Sequence, residues 1–438
     1  MALMKFDKIY FPVTGIENIR IPKVVRVHQE FDPQKIDDVV GHLARELDEL
    51  QIDKEALRGK SIAISVGSRG IPHNKEMVKT IVDKLKSWGA EPFIVAGMGS
   101  HGGGTVEGQR EILTGYGMTE EYLGVPIKVG NEVVKIGELP DKGNTPVYCD
   151  KFAAEADGIV LYNKVKPHTN FHGPHESGLL KMCAIGLAKH IGCSWFHGQG
   201  FETFAERIPM VGEVFMKNLN IVFGVGMVQN AYDVICALKA FPPEKIVEGD
   251  RELLKIARTR MARFLFKQCD VLVVDRIGKN ISGAGADPNV TGRSRDPSFA
   301  EVFNAQQMII RGLTEESHHN GTGLVLADIT TTRCVNDIDF GATWTNMCTT
   351  MNPRAGSIPP WRNGDEDAIK LGIRMCKFID WDHPKIVRIH TTLDLCDFEV
   401  SVDMAEALKD VPGITITSEP YDWTFDEEGY MEDFHVEE

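Results

Sequence analysis

Two consecutive units of strand, glycine-containing loop and helix constrain the fold of this chain more than any other feature. The apolar run 61–66 ends in the turn-forming segment 67–72, after which apolar residues recur at helical spacing. The run 93–96 leads in the same way into the glycine-rich segment 97–104 and a predicted helix over 106–113. Strands that alternate with helices are typical of an α/β fold with a mainly parallel sheet.

A third polar loop follows a predicted strand over residues 157–162. Parallel strands end at the same edge of a sheet, and ligands usually bind outside that edge. The loops after the three strands carry Arg69, His101 and His168, so we expect these side chains to lie close together although they are far apart in sequence. The apolar segment 179–188, which follows the third loop, is predicted to be helical.

The length of 438 residues predicts more than one domain. A charged helical stretch, 244–266, comes before a new strand at 271–275, which predicts an N-terminal α/β domain over residues 1–268 and a C-terminal α/β domain over residues 269–438. Mainly parallel sheets are expected in both domains, with the active site in the cleft between them. Further predicted elements lie in the second half: strands 324–328 and 386–390, a helix over 365–378, and a terminal strand or extension over 418–438 with a solvated end.

Composition excludes several classes of function. The formal net charge of −15 repels phosphate backbones and anionic membrane surfaces, so neither nucleic acid nor membrane is an expected partner. The chain has no recognisable signal segment and no run of about 18 apolar residues, which predicts a cytoplasmic protein. The nine cysteines lack a Cys-x-x-Cys pair and are predicted to be reduced, with Cys183, Cys193 and Cys236 as small buried side chains.

One stretch of 30 residues is unusually rich in histidine. It holds five of the fourteen histidines: His168, His172, His175, His190 and His197. Four lysines lie in the same region: Lys164, Lys166, Lys181 and Lys189. Histidine moves protons near neutral pH and binds borderline metals. A single loop histidine is more often structural, so the density of the group indicates chemistry rather than any one member.

Three loops could line a ligand site. The segment 97–104 places His101 among five glycines, which permit a ligand to approach the backbone N–H groups closely, although a tight turn is the alternative. It lacks the spacing of a dinucleotide or Walker loop. Arg69 could bind the carboxylate or phosphate of a ligand, or equally form an ion pair with a neighbouring acidic side chain. The loop 278–293 of the second half is either a polar wall of the site or an ordinary structured loop.

Together these loops resemble the nickel-dependent lactate racemase family, whose members carry a nickel-pincer nucleotide, and in particular its longer relatives. The Thr-Arg-Pro-like turn of that family is similar to residues 68–72, and its glycine-flanked histidine to residues 99–102. His168 and Lys181 match the second catalytic histidine and the lysine that is tethered to the cofactor. The nickel-ligating histidine follows that lysine by sixteen residues, as His197 does in this chain. The resemblance is close over residues 60–197 and loose in the second half.

The resemblance implies an isomerase, a racemase or epimerase that inverts the C2 carbon of a 2-hydroxy acid. The implied cofactor is a pyridinium-3,5-dithiocarboxylic acid mononucleotide holding nickel and covalently bound to lysine; it accepts the hydride while a histidine on each face handles the hydroxyl proton. The implied partners are the 2-hydroxy acid and the cofactor's biosynthetic enzymes. The implied roles are acid and base for His101 and His168, tether for Lys181, nickel ligand for His197, cofactor contacts for Ser68, Arg69, Gly99 and Ser100, and substrate contact for Arg69.

Two departures from the family bear on the substrate. The segment 173–177 lengthens the interval between His168 and Lys181, which favours a larger, polar substrate. In the family, a glutamine and a lysine after an Asp-x-Asn sequence hold the substrate. In this chain residues 287–289 are followed by Gly292 and two arginines. The residues predicted to take over this contact are Lys279, Arg293 and Arg295.

Two other functions remain open from sequence. A zinc or iron hydrolase could use His168, His172 and His197 as ligands, with Glu176 or His175 added, although no His-Glu-x-x-His motif is present. Alternatively, a non-catalytic protein of the same fold could bind a small anion or nucleotide. In that case Lys181 would stay unmodified.

Overall fold

The structure is a computed structural model that describes residues 3–141, 143–349 and 352–435. The chain forms two compact units. One unit is Asp32–Met261, and the other combines Met1–Phe31 with Ala262–Glu438. They are called the middle unit and the terminal unit below.

Both units are α/β, as predicted. The described residues form sixteen strands: β1 (Val24–Gln29), β2 (Ser61–Val66), β3 (Glu91–Ala96), β4 (Ile127–Lys128), β5 (Val133–Glu138), β6 (Pro146–Asp150), β7 (Gly158–Lys164), β8 (Ile221–Gln229), β9 (Ile235–Phe241), β10 (Gln268–Ile277), β11 (Asn304–Leu313), β12 (Ile329–Thr331), β13 (Trp361–Arg362), β14 (Ile386–Ile389), β15 (Asp397–Ser401) and β16 (Ile414–Ile416).

The same residues form fourteen α-helices: α1 (Val39–Glu49), α2 (Asn74–Ser87), α3 (Val106–Gly115), α4 (Glu120–Leu123), α5 (Lys151–Ala154), α6 (Leu179–Lys181), α7 (Lys189–His197), α8 (Phe204–Asn218), α9 (Ile246–Arg260), α10 (Pro288–Thr291), α11 (Thr332–Asn336), α12 (Phe340–Thr349), α13 (Asp365–Met375) and α14 (Val402–Leu408). Within this described part of the chain, no helix is both long and apolar enough to cross a lipid bilayer.

The middle unit is built on a six-stranded sheet in the order β4-β3-β2-β7-β8-β9. All of its strand pairs are parallel except β8 with β9. Five successive residues of β2 and of β3 are buried because helices cover both faces of the sheet. The three strands predicted from sequence, β3, β2 and β7, are neighbours, so the loops that follow them leave the same edge of the sheet.

The apolar segment after β7 is only partly a regular α-helix. It begins as α6, continues as a π-helical turn over Met182–Gly186, and reaches α7 through Lys189, which has a left-handed φ of 55°. π-Turns inside helical segments occur frequently at functional sites. The predicted helix over 179–188 is therefore two pieces, α6 and the π-helical turn, and α7 follows them.

The terminal unit has an eight-stranded sheet in the order β13-β12-β11-β10-β14-β15-β1-β16. Its first five strands run parallel, and β15, β1 and β16 are joined to them by antiparallel pairs. Because β1 lies between β15 and β16, the first 31 residues belong to this unit. The predicted division at 268/269 differs from the structure in this respect, and also because the chain passes between units at Met261/Ala262.

Several predicted elements of the second half shift in position. Residues Leu324–Leu326 form a 3₁₀ turn that starts from Gly323 at a φ of 99°, and the strand follows it as β12. The predicted helices 244–266 and 365–378 end earlier, as α9 and α13. The tail is a packed extension, since Tyr421 bridges to Val24 of β1; its last residues, 436–438, lie outside the described residues.

Candidate active site

The loops after β2 and β3 meet through Ser68 and His101. The Ser68 hydroxyl hydrogen-bonds the Nδ1 atom of His101, and the Tyr116 hydroxyl donates to the Ser68 carbonyl at 2.7 Å. His101 itself is exposed. A hydrogen bond at one ring nitrogen orients the imidazole and leaves chemistry to the other nitrogen. The predicted approach of these two loops is thus seen in the structure.

Buried polar groups support the glycine-rich loop from below. The Gln109 side-chain amide donates to the carbonyls of Gly99 at 3.1 Å and His101 at 3.3 Å. Lys189, which is 1% exposed, donates to Gln109 Oε1 at 2.8 Å and forms an ion pair with Asp150 at 3.4 Å. Lys189, one of the clustered lysines, therefore supports the loop. Sequence reasoning missed Gln109, because nothing in the pattern of α3 distinguishes it from a surface glutamine.

The position of Gly99 favours a residue without a side chain. Its φ is 57°, and an added Cβ would lie 3.1 Å from the Ile185 carbonyl oxygen of the π-turn. The Gly99 N–H donates to the Gly186 carbonyl at 3.0 Å. This glycine thus allows the loop after β3 to pack directly on the segment that follows Lys181.

His168 lies among positive charges. It is 8% exposed, and its ring packs against Phe171 with centroids 4.4 Å apart. Burial holds the pKa of His168 well below its ordinary value, and electrostatic repulsion from nearby cations lowers it further. The groups close enough to do so are Lys181, Lys166, His197 and Arg69. The structure therefore brings together Arg69, His168, Lys181 and His197, as the sheet topology predicted for the first two.

The tautomer of His168 follows from its backbone contacts. The Asn170 N–H donates to His168 Nδ1 at 3.1 Å, so the neutral ring carries its proton on Nε2. Together with its low pKa, this contact makes the resting His168 a neutral hydrogen-bond donor at Nε2.

The side-chain amine of Lys181 has a lowered pKa. Burial lowers its pKa to about 7, with repulsion from Arg69 and Lys166 acting in the same direction, while Cys193 and Glu176 oppose the shift. A lysine that is desolvated and placed beside other cations is a nucleophile at neutral pH, because much of the amine is unprotonated. Lys181 is only partly buried, so a reagent can reach it.

The pH dependence of Lys181 can be measured by chemical labelling. The lowered pKa predicts that acylation of Lys181 by a small activated ester rises through about pH 7, and that Lys164, with a pKa lowered to about 8 by burial, follows at higher pH. Peptide mapping after brief labelling across neutral pH reports both residues. A Lys181→Arg variant identifies the peptide. Labelling of Lys181 that lags behind Lys164 would contradict the assignment.

His197 ends α7 with a defined orientation. Its Nδ1–H donates to the Cys193 carbonyl one turn earlier at 2.7 Å, and the ring packs edge-on against Phe201 and Phe204. Cys193 Sγ lies 3.3 Å from the same Nδ1 and 3.9 Å from Ser100 Oγ, which links α7 to the glycine-rich loop. A histidine whose Nδ1 donates to a carbonyl presents the Nε2 lone pair, the arrangement that metal-binding histidines use.

The two extra ligands of the hydrolase alternative are engaged elsewhere. Glu176 accepts from the His168 N–H at 2.6 Å and the Gly173 N–H at 3.0 Å, and His175 Nδ1 contacts Asp250 at 3.0 Å. No cluster of three or more His, Cys, Asp or Glu side chains that could hold a metal occurs among the described residues. The contacts of Glu176 and His175 hold the loop rather than point to a zinc site.

The predicted substrate residues of the second half belong to the terminal unit. Arg293 is engaged within it: its guanidinium pairs with Asp328 at 2.7 Å and donates to the Ala305 carbonyl at 2.7 Å. Arg295 is exposed and contacts Asn352, and Lys279 is partly buried. These contacts use donors of Arg293 to stabilise the loop before β11, and its role in substrate binding stays a prediction.

Comparison with known proteins finds one family model that matches the first half of the chain. Residues 22–206 match the sequence model of the lactate racemase N-terminal domain. No curated protein sequence matches the chain. Among solved structures, a protein from Thermotoga maritima is 15% identical, with 63% of this chain and 70% of that chain covered at a TM-score of 0.46. The lactate racemase apoprotein from Thermoanaerobacterium thermosaccharolyticum is 16% identical, with 66% and 74% covered at a TM-score of 0.45.

The match begins just before β1 and ends in the first turn of α8. It contains every proposed cofactor and acid–base residue. Residues 22–206 of this chain are therefore similar to the N-terminal domain of lactate racemase.

Proposed function

We propose that this protein is a racemase or epimerase of a 2-hydroxy acid that uses a lysine-tethered nickel-pincer nucleotide. The observation that carries the proposal is Lys181, whose pKa of about 7 makes it a nucleophile, in the same cluster as His168, His197 and Arg69. The match of residues 22–206 to the lactate racemase N-terminal domain supports the reaction class. The residues of the site and the cofactor are part of the proposal.

The residues present fit such a cofactor. Lys181 would form the covalent bond through its unprotonated amine, and His197 would offer Nε2 to nickel, since its Nδ1 is used by Cys193. Imidazole suits nickel as a ligand. Ser68, Gly99 and Ser100 would contact the nucleotide, and the excess of cations would attract its phosphate. When bound, the group would accept and return the hydride of the substrate C2 carbon.

The chain's own residues would bind the substrate and move its proton. Arg69, exposed after β2, would hold the carboxylate of the 2-hydroxy acid in a bidentate pair. Inverting the C2 carbon requires a proton acceptor on each face, and His101 and His168 would take these places. His101 would act through Nε2, because its Nδ1 is bonded to Ser68.

His168 has to change its protonation state during this reaction. At rest Nε2 carries the ring proton, so His168 can accept the substrate's proton at Nε2 only after its own proton has moved to Nδ1, which requires the Asn170 contact at Nδ1 to open. An anionic ligand would help, because a negative charge beside Lys181 and Arg69 offsets the repulsion that keeps the pKa of His168 low. Anion binding would therefore bring His168 towards the range where an acid–base group works best.

The proposal is tested on protein co-produced with the enzymes that synthesise the pincer nucleotide. We expect an intact mass increased by one nucleotide-sized adduct, about one nickel per chain, and loss of optical activity from one enantiomer of a 2-hydroxy acid in a screened panel. Polar and dicarboxylic 2-hydroxy acids belong in the panel because of the segment 173–177. Unmodified protein under these conditions, or loading without racemisation of any member, would count against the proposal.

A further inference from the structure

The loop between β7 and α6 is organised around one buried carboxylate. Glu176 is 1% exposed; its Oε2 accepts the His168 N–H at 2.6 Å, and its Oε1 accepts the Gly173 N–H at 3.0 Å. His172 Nδ1 lies 3.3 Å from the same Oε1. Burial raises the pKa of Glu176, but the hydrogen bonds from His172, His168 and the Arg258 guanidinium outweigh burial and leave it below its ordinary value. The carboxylate is therefore ionised.

Helix α9 holds this loop from outside. Its Arg258 forms an ion pair with Glu176 and donates to the Gly173 carbonyl at 2.7 Å. Eight residues earlier, Asp250 Oδ1 accepts the Leu179 N–H at 2.6 Å, at the start of α6. Residues eight apart in a helix differ by about 80° in direction, which still places both within one broad face. One face of α9 thus fixes the loop both near His168 and next to the helix that carries Lys181.

The ring of His168 depends on its own loop for its orientation. The ring packs against Phe171, and its Nδ1 accepts the Asn170 N–H. Both partners lie within three residues of His168, so a displacement of the loop backbone moves the ring and its hydrogen-bond donor together. Glu176 is the group that anchors this backbone at the His168 N–H.

We propose that Glu176, held by Arg258, is a positioning residue that fixes the backbone of His168 and thereby the orientation and tautomer of its imidazole. This inference rests on the proposed function for its kinetic consequence only. Truncating a buried charged acceptor leaves its N–H donors without their partner. A shift of a reacting group by about 1 Å costs up to roughly 100-fold in rate.

The test compares Glu176→Ala and Glu176→Gln with Glu252→Gln, a matched control on the solvent side of α9 that is paired with Lys255. The first readout is the ¹⁵N spectrum of imidazole-labelled full-length protein, with His168 assigned from a His168→Gln variant. Glu176→Ala should alter the Nδ1 and Nε2 signals of His168, and Glu176→Gln should do so less, because one accepting oxygen remains. Glu252→Gln should leave them unchanged.

The second readout is kinetic and uses the cofactor-loaded protein. We expect kcat to fall roughly 10- to 100-fold in Glu176→Ala while KM changes little, with partial rescue in Glu176→Gln. Unchanged His168 signals in Glu176→Ala would overturn the proposal, whether kcat stays the same or falls together with thermal stability. Should Glu176→Ala fail to fold, Arg258→Ala, at a residue whose side chain is 42% exposed, is expected to shift the same signals in the same direction.

The two proposals fail in different ways. A wild-type protein that loads no cofactor or racemises nothing refutes the proposed function. The spectrum of His168 is recorded without cofactor or substrate, so it still decides whether Glu176 positions the ring.

Discussion

Replacement of Lys181 by alanine is expected to abolish covalent attachment of the cofactor completely. The amine is the only part of Lys181 that can form the bond, and its pKa of about 7 reflects burial beside Arg69 and Lys166. Intact mass and peptide mapping of protein co-produced with the biosynthetic enzymes should show a nucleotide-sized adduct in wild type and none in Lys181→Ala. The nickel content of Lys181→Ala should fall as well, because without the cofactor the protein offers nickel only the single ligand His197.

Lys164→Ala is the matched control for this experiment. Lys164 is the last residue of β7 and lies at the same edge of the sheet, and burial also lowers its pKa, to about 8. We expect Lys164→Ala to keep the adduct on Lys181. An adduct that persists in Lys181→Ala, or that maps to Lys164 in the wild-type protein, would refute the assignment of Lys181 as the tether. Bound zinc in place of nickel would favour the hydrolase alternative.

The convergence of the site was predictable because it depends on local patterns and one general rule. The apolar runs of β2, β3 and β7 and the polar loops after them are contiguous in sequence, and parallel strands deliver such loops to one edge. The interval between Lys181 and His197 is likewise short. Lys181 ends α6 and His197 ends α7, and only the π-helical turn and a short connection lie between these two helices.

The supports of the site were not predictable in the same way. Asp250 and Arg258 belong to a helix that reads as charged and solvated, and only its packing shows which face meets the loop. One signal was available: Asp250 is on the same helical face as the buried Leu254 and Ala257, and a carboxylate on an apolar face needs a partner. Its partners, His175 and the Leu179 N–H, are more than 70 residues away.

The boundaries of the two units were not predictable for a related reason. Residues 24–29 have the pattern of a strand, but their partners are Asp397–Ser401 and Ile414–Ile416, near the other end of the chain. Pairing across such a distance leaves no mark in a single sequence. Arg293 illustrates the same limit at the level of one side chain, since the carboxylate it binds, Asp328, lies 35 residues away.

Replacement of His168 by alanine is expected to reduce turnover by about 1,000-fold while the adduct on Lys181 remains. This magnitude follows from general acid–base catalysis, which contributes roughly 100- to 10,000-fold. The side chain packs against Phe171 and accepts the Asn170 N–H, whereas the loop backbone is held through Glu176, so the loop can keep its anchor when the ring is removed. The measurement is kcat for loss of optical purity in each direction, alongside intact mass and nickel content.

The comparison of His168→Ala with His101→Ala makes this prediction decisive. If the two histidines serve opposite faces of the substrate, each variant must lose racemisation in both directions, because inversion needs both. Removal and return of the hydride on one face can survive in either variant, but this returns the same hydrogen to C2 and leaves the substrate unchanged. His172→Ala is the control: although its Nδ1 contacts Glu176, that carboxylate keeps its contacts with the His168 N–H, the Gly173 N–H and Arg258, so the variant is expected to keep most activity. A His168→Ala protein that racemises at near wild-type rates would remove His168 from the chemistry and leave its low pKa as a consequence of burial alone.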